Sequence, residues 1–486
     1  MNNFEYVSKI DLKNKIEDHI HRKLDEGEYE IHSIQANNLF KNNTFDLAFK
    51  LFYLEFFKKN INLARDVYYS HIKAYKFFKI KEYGNKNKSS LEIFEKSFIK
   101  TFKSINKDQF NSEVSIVPLS QNGNYLNGSH RISIAGFLNK KINVLDTKSE
   151  EFITYDYNFF YKRAVPVDII EKSLKSYLNY LEGVHIAFIW PSALGKNDDI
   201  NKIIKNRIYY KEIVFNAKGA HNLLAEVYKD QKWIGNSKNN YNGTIGKLKE
   251  CFKNINSPTR IIVFQEENKS ALLKIKEKIR KIFKIEKHSI HITDTKEEVK
   301  EIAKLIFNKN GIHFLNNAKP YNYNKTESKI IEFKKHLELK KINQDDIVIS
   351  GSFVLETYGL REARDVDYIT KMNKKENNLI MMNYESKKED LIYNDDNFFE
   401  FNGLKFISFN ETYKMKLFRN ESKDQTDVSL MKSFLKDDTF SILKNRVKQN
   451  FYFTTIYFKV ILIKTLKMIK LHRPIKLIAQ FLKIKF

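Results

Sequence analysis

Residues 348–370 read VISGSFVLETYGLREARDVDYIT, and this stretch decides how the last third of the chain is built. Val348–Ser350 continue an apolar run begun at Ile347, the mark of a short buried strand. Gly351 and Ser352 follow at once, and FVLETY has the spacing of a helix that stops near Gly359. A strand that runs straight into a helix leaves free backbone N–H groups at the helix start, and glycine lets a phosphate approach them. Asp365 and Asp367 lie two apart on the strand predicted over DVDYIT, so both carboxylates should point to one face. Such a pair suits Mg2+, which takes hard oxygen ligands and leaves places for phosphate oxygens. The bland alternative is the exposed face of an edge strand, and the Gly-Ser turn argues against it.

Downstream, residues 406–431 read FISFNETYKMKLFRNESKDQTDVSLM. Together the two stretches resemble the nucleotidyltransferase (DNA polymerase β-like) superfamily over about residues 328–435. Its mark is Gly-Ser at a helix start followed by an Asp-x-Asp strand. Small members add a helix with a lysine and then a Lys-Asp-x-x-Asp helix, matched here by Lys416, Lys423, Asp424 and Asp427. The resemblance implies that Asp365 and Asp367 bind Mg2+ and are catalytic. Gly351 and Ser352 would hold the triphosphate, and Arg364 or Lys423 would neutralise charge. It further implies a nucleoside triphosphate as donor and a small acceptor bearing a phosphate or hydroxyl. Glu400 is the candidate third carboxylate, by position alone.

Working outward, residues 184–308 alternate strands and helices: VHIAFIW, DDINKIIKN, KEIVF, RIIVFQ, SALLKIKEKIRKIF, IHIT and KEEVKEIAKLIFN. The alternation suggests one sheet covered by helices on one face. His291, Ile292, Thr293 and Asp294 precede the acidic helix, and Arg280 stands in IRKIF. These features resemble nucleoside diphosphate kinase, a ferredoxin-like sandwich, which implies His291 as nucleophile and Arg280 as phosphate ligand. The first strand departs from that family, with Trp190, Pro191 and Ser192 where Lys-Pro-Asp is expected. A scaffold with a satisfied core histidine is the alternative.

Residues 125–145 read YLNGSHRISIAGFLNKKINVL. Gly128 would let backbone approach a phosphate, and His130 and Arg131 would donate hydrogen bonds at a helix start. This resembles the ParB/sulfiredoxin fold, with Asn127 in place of its acidic residue, and implies nucleotide binding at Gly128, His130 and Arg131. A capped tight turn is the alternative. Residues 1–110 read as helical, with a Gly/Asn-containing break near Tyr83–Lys88. Residues 316–328, NNAKPYNYNKTES, read as a linker.

The 486 residues suggest about three domains, and 42% hydrophobic content is enough for real cores. Cys251 is the one cysteine, which excludes an internal disulfide framework. The opening MNNFEYVSKIDLKNK lacks an apolar signal core. The net charge of +26 comes largely from lysines spread along the chain among glutamates, as an AT-rich genome would encode. Residues 451–486 differ: no acid follows Asp438, and Lys459, Lys464, Lys467 and Lys470 oppose Phe458, Ile461, Leu462, Met468 and Ile469 on a helix. That pattern suits an anionic membrane surface, with Pro474 breaking the helix; a packed helix pair is the alternative.

The expectation is an α+β chain of three domains and a tail. Residues 1–182 form a helical region with the ParB/sulfiredoxin-like segment. Residues 183–315 are the kinase-like unit, 328–440 the nucleotidyltransferase-like unit and 446–486 the tail. The combination resembles multidomain proteins of bacterial surface-polysaccharide assembly. It implies nucleotidyl transfer in capsule or lipopolysaccharide precursor synthesis, in the cytoplasm on the inner face of the membrane. Nucleic acid is not the expected partner. The competing reading is a nucleic-acid-binding or regulatory protein that uses the Gly128 loop and keeps an inactive nucleotidyltransferase fold.

Overall fold

The computed structural model describes residues 5–75, 89–108, 115–151, 154–372, 381–436 and 439–469. Three four-stranded sheets, with helices packed among them, make a mixed α and β architecture.

The first sheet holds β1 (Glu5–Ser8), β2 (Glu28–Gln35), β3 (Val117–Leu119) and β4 (Lys141–Asp146) in the order β1-β2-β4-β3. Residues 5–45 are therefore largely strand and turn, not helix. In β2, Tyr29 and Ile31 are buried against Val7, Leu12 and Leu145, while Glu28, Glu30 and His32 alternate with them. That two-residue period is a strand signal. The principal helices of this unit are α1 (Asp46–Phe56), α2 (Ile61–Tyr75), α3 (Leu91–Asp108), α4 (Ser129–Phe137) and α5 (Val167–Leu178). α1 and α2 separate at Asn60, whose Oδ1 accepts the Leu63 N–H at 3.1 Å and caps α2. The expected break at Tyr83–Lys88 lies outside the described residues.

The second sheet holds β5 (Val184–Ile189), β6 (Arg207–Ile213), β7 (Thr259–Gln265) and β8 (Ile290–Ile292), all antiparallel, in the order β6-β7-β5-β8. Its helices are α6 (Asn197–Ile203), α7 (Ala217–Val227), α8 (Thr244–Cys251), α9 (Lys269–Phe283) and α10 (Lys296–Ile306). Both faces are covered, not one. Ala187, Ile189, Ile262 and Phe264 pack with Ile200 of α6 and Leu272, Ile275 and Ile279 of α9. Ile186, Phe188, Ile261 and Val263 join the main core with residues of α5, α7 and α10. Near-continuous apolar runs such as VHIAFI and RIIVF are what a strand buried on both faces requires.

The third unit contains α11 (Lys309–Asn317), α12 (Thr326–Leu339), β9 (Ile347–Ser350), α13 (Ser352–Thr357), β10 (Asp367–Thr370), α14 (Lys388–Tyr393), β11 (Phe398–Phe401), β12 (Leu404–Ile407), α15 (Phe409–Arg419), α16 (Ser422–Leu435) and α17 (Thr439–Met468). Its sheet order is β10-β9-β12-β11, with β9 antiparallel to β10 and parallel to β12. Asn402 and Gly403 close the β11–β12 hairpin with φ of 48° and 70°, the positive values a two-residue turn of this kind needs.

One apolar cluster runs from Ala36 to Met431 through all three units. The 316–328 segment is not a free linker. Ala318 and Thr326 are fully buried, and the Tyr321 ring lies 5.1 Å from that of Tyr241 and 5.8 Å from that of Phe401. The tail does not begin afresh at 446 either. α17 is continuous from Thr439, and its first turns pack on α16, where Asn445 donates to Ser433 Oγ at 2.6 Å. Lys470, Pro474 and the rest of the tail lie outside the described residues. Among the described residues no helix is long and apolar enough to cross a membrane.

Candidate functional site

Gly351 joins β9 to α13 with φ 69° and ψ −140°, a conformation that glycine alone adopts without strain. Asp367 is the antiparallel partner of Ser350, so its side chain lies against this turn. A Cβ on residue 351 would sit 2.8 Å from Asp367 Oδ2. The backbone conformation therefore requires the glycine, while the carboxylate lies close against it at the end of an exposed side chain that could move aside. A cavity of about 270 Å3 opens here, bordered by Gly351, Asp367, Asn383, Arg419 and Glu421.

Asp365 is not on the strand. β10 begins at Asp367, and Asp365 sits in the bend before it, exposed. The two carboxylates still interact. Asp367 is itself exposed to solvent; partial desolvation, and next the charge of Asp365, push its carboxyl above its ordinary value, while Arg419, Lys423 and Lys416 act in the opposite sense. Lys423 is partly exposed and pairs with Glu421 at 3.0 Å. Arg364 is exposed in the loop leading to Asp365.

Ser352 is held from behind. Its Oγ accepts from Arg361 Nη2 at 2.8 Å. Arg361 also grips Asp427 with both prongs, at 2.7 and 2.9 Å. Lys416 pairs with Asp427 at 2.7 Å and Asp424 at 3.2 Å, and Arg419 forks onto Asp424 at 2.7 Å through two nitrogens. Gln449 of α17 donates to Asp427 as well. Lys416, Asp424 and Asp427 are thus a closed, buried network that braces the turn, not groups facing the cavity. Arg361 and Arg419 are the residues that reading the sequence missed. Arg361 stands two residues past the helix-ending Gly359, where a cation could reach back to the helix start.

Glu400 is not part of this site. It lies on β11, at the opposite edge of the sheet from β10, and pairs with Lys304 at 3.0 Å. Among the described residues no group of three His, Cys, Asp or Glu side chains could hold a metal ion.

His291 lies on β8. Its Nε2 is 3.2 Å from Glu298 Oε1, and its ring centroid is 4.9 Å from that of Tyr228. Glu298 in turn accepts the Asp294 N–H at 2.7 Å, while Thr295 caps α10 by accepting the Glu298 N–H at 3.1 Å. Arg280 is within electrostatic reach of the same Tyr228. Trp190, where a lysine was expected, is fully buried and stacks on Phe188 at 5.4 Å.

At the third candidate, Gly128 starts α4 with φ 97°. Arg131 is committed to Glu17 Oε1 at 3.0 Å, and the His130 ring shares 2.9 Å with the Tyr68 hydroxyl and packs 4.8 Å from Phe98. These partners brace the loop against α2, α3 and the segment at Glu17. Comparison of the chain with protein-family models, curated proteins and solved structures gave no match.

Proposed function

We propose that residues 328–440 form a nucleotidyltransferase-type domain that transfers a nucleotidyl group from a nucleoside triphosphate to a phosphate or hydroxyl acceptor. The observation that carries this reading is the contact between Gly351 and Asp367: a strand–helix turn open to phosphate, with a carboxylate against it. Asp365 and Asp367 would hold Mg2+ between them: Asp367 borders the cavity, Asp365 in the bend before it acts on the same carboxyl, and two mutually repelling carboxylates gain from a shared cation. Bound there, the ion would neutralise triphosphate charge. The chain supplies the rest. The α13 N-terminus presents backbone N–H groups to phosphate oxygens. Arg361 fixes Ser352, and Arg419 and Lys423 add positive potential at Asp367.

In this reading the second sheet is a scaffold with a ferredoxin-like strand order, and His291 is a satisfied histidine held by Glu298. The exposed Phe458, Ile461, Leu462 and Ile469 beside Lys459, Lys464 and Lys467 support attachment of α17 to an anionic membrane face, where capsule or lipopolysaccharide precursors are the acceptor class. The test is incubation of the full chain with each α-labelled nucleoside triphosphate, Mg2+ and cell extract, followed by identification of the labelled product. Asp365→Asn and Asp367→Asn should each abolish Mg2+-dependent labelling with an unchanged far-UV spectrum. Undiminished labelling in both variants would overturn the assignment.

A further inference from the structure

A second cavity, of about 500 Å3, opens at the other edge of the third sheet, where the three units meet. Phe56 and Lys59 reach it from the end of α1 and the turn beyond, Lys300 and Lys304 from α10, and Phe398 and Lys405 from β11 and β12. Six lysines line it against four carboxylates. Some of those lysines are committed: Lys304 to Glu400 at 3.0 Å, and Lys172 and Lys175 to Asp395.

Three lysines are not committed to a carboxylate among the described residues. Lys405 is only 8% exposed, yet its amine donates to main-chain oxygens alone, Asp345 O at 2.6 Å and Ile392 O at 3.0 Å. An ammonium has three donors, so one remains. Burial above all pushes this amine down to about 8; the Glu400 and Asp345 carboxylates act in the opposite sense, and Lys304 and Lys59 in the same one. Lys59 forms no ion pair among the described residues; its amine lies 5.6 Å from the Phe56 ring and 5.9 Å from that of Tyr393, and its charge also acts on Glu55. Lys300 lines the cavity from α10 with no ion pair. Crowded amines in a part-buried space favour an anion among them.

Between the amines the walls are aromatic. The Lys405 amine lies 5.4 Å from the Tyr393 ring and 5.2 Å from the Phe398 ring. Bare phosphate would leave those rings unmatched, and an apolar ligand would bury the amines unpaired. Small-molecule sites combine apolar walls with a few convergent polar groups in about 300–1,000 Å3. We propose that this cavity binds a phosphorylated, ring-bearing molecule of mononucleotide size, its phosphate on Lys59, Lys300 and Lys405 and its ring against Phe56 and Phe398. The site is separate from the Gly351 turn and does not depend on any reaction there. Because its walls come from all three units, occupancy would tighten their union.

The experiment is calorimetric titration of the full chain with ATP, GTP, CTP and UTP, with tripolyphosphate and with adenosine, all in EDTA. Without divalent metal, binding at the Asp365 and Asp367 pair is disfavoured. At least one nucleotide should saturate the protein and bind more tightly than tripolyphosphate or adenosine. Lys59→Gln with Lys300→Gln should weaken that binding at least tenfold with an unchanged melting temperature. Asp365→Asn with Asp367→Asn should leave it within twofold. No saturable nucleotide binding in EDTA would overturn the proposal. So would binding untouched by the lysine pair, or binding lost with the aspartate pair instead.

Discussion

Asp427 shows how much of the candidate site is hidden behind it. Its carboxylate is fully buried between the Arg361 fork and Lys416, itself 1% exposed. Asp427→Ala would strand buried cations, a change that costs about 3–5 kcal/mol. The urea midpoint should fall accordingly, and Ser352, which Arg361 holds, should lose its position with it. A midpoint within experimental error of the parent would contradict this reading of the network. The Lys-Asp-x-x-Asp spacing was visible in the sequence, but its orientation was not. A motif gives residue types and intervals, whereas the choice between cavity and core belongs to tertiary partners such as Arg361 and Gln449. Gly351 was legible for the opposite reason, since a glycine between a strand and a helix has few other uses. Asp365 was placed on the strand because two-residue spacing cannot show that pairing starts only at Asp367.

Among elements, α17 is where sequence pattern and structure meet most directly. Beyond Gln449 its large apolar residues Phe451, Tyr457, Phe458, Leu462 and Met468 are exposed. Roughly 1 kcal/mol for each lysine near an anionic surface, added to burial of apolar side chains, is sufficient for reversible attachment. Full-length protein should sediment with anionic vesicles at low salt, weaken but persist at high salt, and be released by Leu462→Glu with Ile469→Glu. Protein that stays in the supernatant at low salt would exclude this attachment. The periodic helices and strands of the second and third units were readable because their apolar spacing is regular. β2 was passed over amid the general richness in lysine and asparagine, although Tyr29 and Ile31 alternate with polar residues. The β11–β12 hairpin carried an Asn-Gly turn between two apolar runs, a local signal strong enough to have been used.

At the scale of the whole molecule, the three units share one core and are also clasped by charge. Lys172 of α5 pairs with Asp395 at 3.2 Å and Asp396 at 3.0 Å, just before β11, and Lys175 bonds Asp395 too. Burial alone would raise both carboxyls, but Lys175 and Lys172 at Asp395, and Lys172 and Lys309 at Asp396, hold them below the ordinary value of 3.8. Depressed carboxyls stabilise the fold fully above their unfolded value and lose that contribution as pH falls through the folded one. Stability from this clasp should thus be complete above about pH 4 and drain away below it. Asp395→Asn with Asp396→Asn should lower the urea midpoint at pH 7 and narrow the difference between pH 7 and pH 3.5. An equal pH dependence in parent and variant would show that the clasp contributes nothing. Composition suggested separable domains. Core continuity could not be read from it, because Tyr321 and Ala318 look like linker residues until Tyr241 and Phe401 close around them.

The long C-terminal helix has a mechanical consequence. Its 30 residues make a rod of about 45 Å at 1.5 Å per residue. Gln449 is buried and bonds Asp427, and about 28 Å of rod extends from there to Met468, with Leu466 buried again near its end. A tilt of about 10° at Gln449 would carry residue 468 through about 5 Å. The fulcrum is itself geared: Gln449 bonds Asp427, Asp427 takes the fork of Arg361, and Arg361 holds Ser352. Torque on the far end is therefore delivered, through four side chains, to the residue beside Gly351.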